Sequence, residues 1–193
     1  MLRVFDKDGT LVQTKSGETF PKLGDQQLIP GVKERIAAYA AAGDIIAVAS
    51  NQGGIPRYKT LEDAIAEFQE LMTLLPEISV CFFCPDFDGK QCWSVPNPGT
   101  EIFGRSLATG TTYPAGKSKD YYAAKPLHEG VGAGLSYGKL IGTFRKPNPG
   151  MLKAAMLWAN VNTCSYVGDR PEDEEAASSI SIPYQHVSLW LAN

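Results

Sequence analysis

Residues 2–11 read LRVFDKDGTL, a short apolar run that leads directly into an acidic turn containing glycine. The four apolar or amphipathic residues at the start have the length and composition of a buried strand. The strand ends where Asp6 and Asp8 begin. In open α/β sheets, ligands bind just beyond the carboxyl ends of the strands. This stretch therefore predicts both the first strand of a sheet and the place where chemistry occurs.

Other segments repeat the alternation of strand and helix. Buried strands are predicted at residues 44–49, 78–84, 163–167 and 184–187, and helices at 30–42, 60–75, 149–159 and 171–179. The second helix begins at Thr60, an N-cap with Asp63 three residues later. Strands that alternate with helices indicate an α/β protein with a central parallel sheet.

Residues 85–145 interrupt this pattern. The segment is rich in Gly, Pro, Tyr and Lys and shows no long amphipathic period. A stretch of this length inside a compact domain is typical of an inserted or functional segment. We expect residues 1–193 to form a single domain with an irregular insertion at about 85–145.

The composition excludes several classes of protein. The chain has 193 residues, 44% hydrophobic residues and a net charge of -3, which fits one globular domain without an overall polyanion-binding character. The sequence contains neither a run of 18 apolar residues nor a basic start followed by a long apolar region. We expect no membrane span and a cytoplasmic location.

Polar residues cluster just after the predicted strands. Asp6 and Asp8 follow the first strand, Ser50 and Asn51 the second, and Asp169 the fourth. Each cluster alone is weak evidence for a functional site, because an aspartate after a strand is often a solvated turn residue or a helix N-cap. Their occurrence in this order, each at the end of an apolar strand, indicates one shared site.

These residue types suit phosphoryl transfer, which needs a nucleophile, a proton donor and cations near the phosphate. Asp6 can attack phosphorus, and Asp8 can protonate the leaving oxygen. Mg²⁺ prefers carboxylate oxygens, which Asp6 and Asp169 would supply. Ser50 and Lys146 would hold the phosphate oxygens.

Four motifs resemble those of the haloacid dehalogenase superfamily of phosphatases. They are FDKDGTL (residues 5–11), VASNQGGI (48–55), RKPNPGM (145–151) and GDRPED (168–173). The resemblance implies a Rossmann-like three-layer α/β sandwich with Asp6 as nucleophile and Asp8 as acid and base. It further implies Mg²⁺ held by Asp6, the Asp8 backbone carbonyl and Asp169. The remaining implied roles are phosphate binding by Ser50, Asn51 and Lys146, and a supporting carboxylate at Asp173.

Two branches of the superfamily are similar to this chain. The start, FDKDGTLVQTKSGETFP, resembles polynucleotide kinase 3′-phosphatase domains. The segments KPNPGM and GDRPEDEEAA fit equally the histidinol-phosphate and heptose bisphosphate phosphatases. No loop of the form GxxxxGK followed by Ser or Thr occurs, so a 3′-phosphatase would act alone or with a separate kinase. The alternative from another functional class is a catalytically silent binding module. Such proteins usually lack the catalytic aspartates, whereas Asp6, Asp8 and Asp169 are all present in this chain.

The second branch often carries a zinc loop of the form CPH followed by CxC. This chain has Cys84 and Cys92 at two of the four ligand positions, with Asp86 and Ser94 at the others. Structural zinc sites use four good ligands. The sequence therefore leaves zinc open and favours free thiols.

A basic segment favours nucleic acid as the substrate. Residues 100–146 carry seven basic and three acidic residues, interleaved with tyrosines. The basic residues are Arg105, Lys117, Lys119, Lys125, Lys139, Arg145 and Lys146, and the tyrosines are Tyr113, Tyr121, Tyr122 and Tyr137. Such a strip can track a phosphate backbone and stack its bases, although lysines in a solvated insertion give the same composition. We interpret the chain as a polynucleotide 3′-phosphatase of the DNA repair type, with a sugar bisphosphate or histidinol phosphate as the alternative substrate.

Overall fold

The structure is a computed structural model, and it describes residues 1–19, 21–97, 125–127 and 135–192. Nine strands and six helices occur in these residues. The strands are β1 (Leu2–Phe5), β2 (Val12–Thr14), β3 (Gln26–Leu28), β4 (Ile45–Asn51), β5 (Ile78–Cys84), β6 (Trp93–Pro96), β7 (Lys125–Pro126), β8 (Ser165–Gly168) and β9 (Tyr184–His186). The helices are α1 (Val32–Ala41), α2 (Leu61–Leu74), α3 (Leu135–Gly138), α4 (Gly150–Ala159), α5 (Pro171–Ser178) and α6 (Val187–Ala192).

The main sheet has the strand order β7-β6-β5-β4-β1-β8-β9. Strands β5, β4, β1, β8 and β9 pair in parallel, while β6 and β7 extend the β5 edge in antiparallel pairing. The chain runs from β1 outward through β4 to β5 and later resumes at β8, on the other side of β1. The direction of winding thus changes at β1, and ligand crevices of doubly wound sheets lie at such a point.

The sheet is buried on both faces. Successive residues of a strand point to opposite faces, and Val4 and Phe5 accordingly belong to two different hydrophobic clusters. One cluster contains apolar residues of α4 and α5, and the other contains apolar residues of α1, α2 and α6. This confirms the α/β sandwich with a central parallel sheet.

Local signals place the helices well. The Thr60 hydroxyl accepts from the Asp63 amide, and the Asp63 carboxylate accepts from the Thr60 amide, so α2 begins with the predicted capping box. Gly43 follows α1 with φ 82°, a left-handed conformation that glycine adopts easily. None of the described helices combines the length and the apolar character that a bilayer span needs.

Several elements differ from the sequence analysis, which predicted neither β7 nor α3 nor α6. The polar stretch after β1 contains an antiparallel hairpin, β2 and β3, for which the sequence predicted no strands. Strand β6 was also missed, because four residues are too few for a periodicity and the strand is fixed by pairing with β5. Much of residues 85–145, including Arg105, Lys117, Lys119, Tyr113, Tyr121, Tyr122 and His128, lies outside the described residues.

Candidate active site

The carboxyl ends of β1, β4 and β8 bring the predicted site residues together. Asp6 follows β1, and its amide donates to the Val167 carbonyl of β8 at 2.9 Å. Ser50 is buried near the end of β4. These residues, with Asp8, Asn51 and Lys146, line a cleft of about 960 Å³. The strand ends therefore converge on one crevice, as the sequence predicted for an open α/β sheet.

Lys146 is the buried cation at the centre of the site. Its ammonium lies 2.7 Å from Asp6 Oδ1 and 2.6 Å from Asp173 Oδ1. It also donates to the Ala49 carbonyl at 3.1 Å and to the Tyr166 hydroxyl at 2.9 Å. Burial alone would lower the pKa of Lys146, but the neighbouring carboxylates outweigh it and raise that pKa. Lys146 is therefore charged when the site is empty.

Asn51 holds the backbone of Lys146. Its side-chain amide donates to the Lys146 carbonyl at 3.0 Å, and its side-chain oxygen accepts from the Lys146 amide at 3.0 Å. The sequence predicted Asn51 as a phosphate ligand. In the structure its donor and acceptor contact the protein backbone, which gives Asn51 a positioning contact that the sequence did not indicate.

Asp173 supports the site from the first turn of α5. Its Oδ1 accepts from the Tyr166 hydroxyl at 2.8 Å, in addition to Lys146. Its Oδ2 accepts from the amides of Asp169 and Arg170 at 3.2 and 3.1 Å. A carboxylate with donors on both oxygens is held rigidly and has little capacity left for a metal ion. This geometry places Asp173 beside the site, and the supporting role implied by the resemblance stays a prediction.

Mg²⁺ fits the remaining carboxylates. Among the described residues, Asp6, Asp169 and Asp173 are the one group of His, Cys, Asp or Glu whose ligand atoms all lie within 4.8 Å of each other. Because Asp173 is occupied by four donors, Asp6 and Asp169 are the oxygen ligands available to a hard cation. The Thr10 hydroxyl lies 3.5 Å from Asp169 Oδ1 and helps to orient it.

Burial makes two of these carboxylates costly to ionise. Burial raises the pKa of Asp6 from 3.8 to about 7, although the nearby Lys146 opposes the shift. Burial likewise raises the pKa of Asp169. A divalent cation beside these carboxylates would offset the cost of keeping them ionised.

Gly9 allows the acidic turn to approach Asp169 closely. Its φ is 86°, and a Cβ atom at this position would collide with the Asp169 carboxylate. The glycine of the DxDG turn is thus required both by backbone conformation and by space. The same turn is closed by the amides of Leu11 and Val12, which donate to the Lys7 carbonyl at 3.0 and 3.1 Å.

Several contacts at the site were missed by the sequence analysis. Lys7 is fully buried and forms an ion pair with Asp8 (Nζ–Oδ1 2.6 Å). Gln52 donates to Asp8 Oδ2 at 2.9 Å and to Ser50 Oγ at 3.0 Å. Gln52 adjoins the predicted Ser50-Asn51 pair, so its position was a usable signal. The burial of Lys7 could not be predicted from the sequence, because lysine side chains are rarely buried.

Two aromatic rings flank the mouth of the cleft. Tyr58 and Phe87 line it and are 76% and 73% exposed. The Arg57 guanidinium stacks over the Tyr58 ring at 5.1 Å, and that of Arg145 over the Phe87 ring at 4.7 Å. Tyr137, in contrast, is buried among apolar residues, so the prediction that it stacks on bases is wrong.

The cysteines are all described, and none forms a disulfide. Cys84 and Cys92 are buried, and burial raises the pKa of Cys84 to about 12 and that of Cys92 well above its usual range. The Asp86 carboxylate accepts from the amides of Lys90 and Gln91 at 3.0 and 2.6 Å. These two hydrogen bonds close the loop, and zinc binding there stays a prediction.

The histidines and tryptophans were predicted to lie outside the chemistry. His186 is exposed, with Nε2 3.2 Å from the Asp169 carbonyl oxygen, so it borders the site without lining the cleft. Trp158 and Trp190 are buried in the two hydrophobic clusters, and Trp93 packs against one of them, which confirms their packing role.

Comparison with known proteins identifies the family. The model of the polynucleotide kinase 3 phosphatase family matches residues 1–180. A D-glycero-beta-D-manno-heptose-1,7-bisphosphate 7-phosphatase of Neisseria meningitidis is 32% identical over 113 residues, 54% of this chain and 59% of the relative. The corresponding D-glycero-D-manno enzyme of Thermosynechococcus vestitus is 32% identical over 111 residues, 49% of this chain and 56% of the relative. The aligned part thus spans somewhat more than half the length of these relatives.

Solved structures share the fold. The D,D-heptose 1,7-bisphosphate phosphatase of B. bronchiseptica, complexed with magnesium and phosphate, aligns with a TM-score of 0.59 and 18% identity over 95% of this chain and 78% of its own. A putative HAD-like phosphatase from Mesorhizobium loti aligns with a TM-score of 0.56 and 21% sequence identity. The alignment covers 94% of this chain and 68% of that chain. Because the family model covers nearly the whole chain and its fold is shared by such phosphatases, the chain belongs to the polynucleotide kinase 3 phosphatase family of the haloacid dehalogenase superfamily of phosphatases.

Proposed function

We propose that the chain is a Mg²⁺-dependent phosphomonoester hydrolase in which Asp6 forms an aspartyl-phosphate. The observation that carries this proposal is the arrangement of Asp6, Lys146 and Asp173, with Asp6 Oδ1 2.7 Å from the Lys146 ammonium. A fixed carboxylate beside a buried cation, at the switch point of the sheet, suits attack on a bound phosphoryl group.

The reaction divides between two carboxylates. An Asp6 oxygen bonds to phosphorus while the bond from phosphorus to the leaving oxygen breaks, and Asp8 gives its proton to that oxygen. Water then attacks phosphorus, Asp8 takes the water proton, and Asp6 is released with inorganic phosphate. Ser50 and Lys146 hold the phosphate oxygens. Asp6, Asp169 and the Asp8 carbonyl would hold Mg²⁺, which would supply positive charge to the phosphate oxygens.

For the substrate we propose a 3′-phosphate at a nucleic-acid end. The family match supports this choice. The exposed rings of Tyr58 and Phe87, each beside an arginine at the cleft mouth, are compatible with it. Aromatic rings stack nucleobases, and guanidinium groups neutralise backbone phosphates. A role in DNA repair, with a separate kinase as partner, belongs to the same proposal.

A sugar bisphosphate is the second candidate. The two curated relatives with 32% identity are heptose bisphosphate 7-phosphatases, which favours this class. A sugar ring can also pack against an exposed aromatic ring, so the cleft mouth fits both substrates. The two proposals differ in the length of substrate that is bound. A nucleic-acid end would also bind through nucleotides beyond the first one, whereas a sugar bisphosphate has no such part.

A substrate comparison tests the proposal. With Mg²⁺, a 3′-phosphorylated oligonucleotide should have a higher kcat/KM than a 3′-phosphomononucleotide, histidinol phosphate or heptose 1,7-bisphosphate, and its KM should rise with salt. Tyr58→Ala should raise KM for the oligonucleotide more than for the mononucleotide, while Leu157→Ala, an exposed residue on α4, should change neither. A preference for heptose bisphosphate that is insensitive to salt would decide for the second candidate.

A further inference from the structure

The side chain of Asp8 is held from two sides by residues that have no assigned role. Lys7 Nζ lies 2.6 Å from Asp8 Oδ1, and Gln52 Nε2 lies 2.9 Å from Asp8 Oδ2. A carboxylate oxygen offers two lone-pair positions. One contact therefore reaches each oxygen of the Asp8 carboxylate.

Lys7 is fixed in place by its burial. Its side chain is fully buried, and its ammonium donates to Gln26 Oε1 at 3.1 Å and forms ion pairs with Asp8 Oδ1 at 2.6 Å and Glu67 Oε2 at 3.8 Å. Glu67 is itself buried and paired with Lys59 at 2.7 Å. A buried ammonium is costly unless its partners are fixed, so the geometry around Lys7 is rigid.

Gln52 is fixed from the backbone as well as the side chain. Its amide donates to the Cys84 carbonyl of the neighbouring strand at 2.8 Å. Its side-chain nitrogen bridges Asp8 Oδ2 and Ser50 Oγ, which lie 2.9 and 3.0 Å from it. Gln52 therefore links the proposed general acid to the proposed phosphate ligand through one nitrogen atom.

We infer that Lys7 and Gln52 are positioning residues that hold the Asp8 carboxylate in the orientation needed for proton transfer. The inference rests on the proposed role of Asp8. A general acid must lie within hydrogen-bond reach of the leaving oxygen, and small displacements cost large factors in rate. In a cleft of about 960 Å³, an Asp8 side chain without these contacts could rotate away from the substrate.

The leaving group provides a readout that a purely structural role would not change. Hydrolysis of p-nitrophenyl phosphate needs little protonation of its leaving oxygen, whereas an alkyl phosphomonoester needs it fully. Gln52→Met should therefore lower kcat/KM on the alkyl ester by roughly 10–100-fold, a part of the effect of a general acid, and leave kcat/KM on p-nitrophenyl phosphate within about threefold, since kcat/KM reports the transfer to Asp6 alone. Gln69→Met, an exposed glutamine on α2, is the matched control and should change neither.

A double variant tests whether Gln52 acts through Asp8. If it does, Asp8→Asn combined with Gln52→Met should be no slower on the alkyl ester than Asp8→Asn alone. Lys7→Met should show the same pattern where it folds, with Lys33→Met on the surface of α1 as its control. Gln52→Met leaves the Lys7 ion pair intact, so the test does not depend on the folding of the Lys7 variant.

Three results would overturn the inference. The first is an equal loss on both substrates in Gln52→Met, together with weaker inhibition by inorganic phosphate, because Gln52 would then act through Ser50. The second is a full multiplication of the two losses in the double variant. The third is the lack of any leaving-group preference in Asp8→Asn itself, which would also remove the proposed role of Asp8. The first two results leave that role standing.

Discussion

The ammonium of Lys146 lies between the carboxylates of Asp6 and Asp173, 2.7 Å from one and 2.6 Å from the other. Asp6 follows the first strand, Asp173 lies in a helix after the eighth strand, and Lys146 precedes α4, so the ion pairs join three separate parts of the chain. Asp173 is also bound by the amides at the start of its own helix. The nucleophile proposed here is therefore positioned by contacts that extend well beyond its own turn.

Lys146→Met should lower both activity and stability. The substitution leaves two buried carboxylates without their cation, and breaking a buried ion pair from one side costs about 3–5 kcal/mol. Urea denaturation without metal should show this loss, and Mg²⁺ should recover part of it by neutralising Asp6. Lys153→Met, on α4, is the control. Unchanged unfolding of Lys146→Met would contradict the central position of this ammonium.

Asp8→Asn should separate substrates by their leaving groups. Without a proton donor, hydrolysis of a poor leaving group should slow by roughly 10²–10⁴-fold, while p-nitrophenyl phosphate should be affected less. The values of kcat/KM with aryl and alkyl phosphomonoesters measure the difference, because kcat/KM reports the transfer to Asp6 and not the later hydrolysis, which loses its base for every substrate. Equal losses for all leaving groups would reject Asp8 as the general acid.

Mg²⁺ should stabilise the protein more at higher pH. Burial raises the pKa of Asp6 to about 7 from 3.8, so between these values the folded metal-free protein holds a proton that the unfolded chain has lost. Stability of the metal-free protein should therefore fall as pH rises through this window. Mg²⁺ must displace that proton, and its stabilising effect should grow up to about pH 7 and then level off.

Thermal unfolding with and without Mg²⁺ measures this dependence. A concentration about 100-fold above Kd should add about 2.7 kcal/mol of stability. Asp169→Asn should lose most of the effect, whereas Asp88→Asn, an exposed aspartate paired with Lys90, should keep it. Activity that survives thorough chelation would contradict the metal site, and unfolding on chelation with zinc found by elemental analysis would instead revive zinc at Cys84 and Cys92.

Gly9→Ala should damage the site specifically. Its left-handed φ costs a non-glycine residue roughly 1–3 kcal/mol, and the added Cβ would displace the Asp169 carboxylate. Gly43→Ala is a matched control, because Gly43 has φ 82° but open space around its Cβ position. Both variants should lose stability, but only Gly9→Ala should lose Mg²⁺ affinity by isothermal titration. Equal Mg²⁺ affinity in the two variants would show that the collision is relieved without cost.

The sequence predicted features that depend on local patterns. The capping box at Thr60 and Asp63 is encoded within four residues, and the strands β1, β4 and β5 are predominantly apolar segments. Strand ends carry the polar residues of the site, so the meeting of Asp6, Ser50 and Asp169 followed from the topology of a parallel sheet.

Features that depend on distant partners could not be predicted from the sequence. Lys7 is buried because Asp8, Gln26 and Glu67 surround it, and no local pattern marks such a lysine. Tyr137 belongs to a hydrophobic cluster formed with other elements of the fold, although serine, glycine and lysine surround it in the sequence. Strand β6 exists through its pairing with β5. In each case at least one of the deciding contacts lies many residues away.

The most direct test of the account is to trap the phosphoryl group on the protein. Asp8→Asn should still be phosphorylated by p-nitrophenyl phosphate, whose leaving group needs no proton, but should release the phosphoryl group slowly because the base for water is gone. After acid quenching in the presence of Mg²⁺, mass spectrometry of the peptides should find one phosphoryl group on Asp6, and none in the Asp6→Asn/Asp8→Asn double variant. Turnover with no phosphorylated peptide, or with the phosphoryl group on another residue, would contradict Asp6 as the nucleophile.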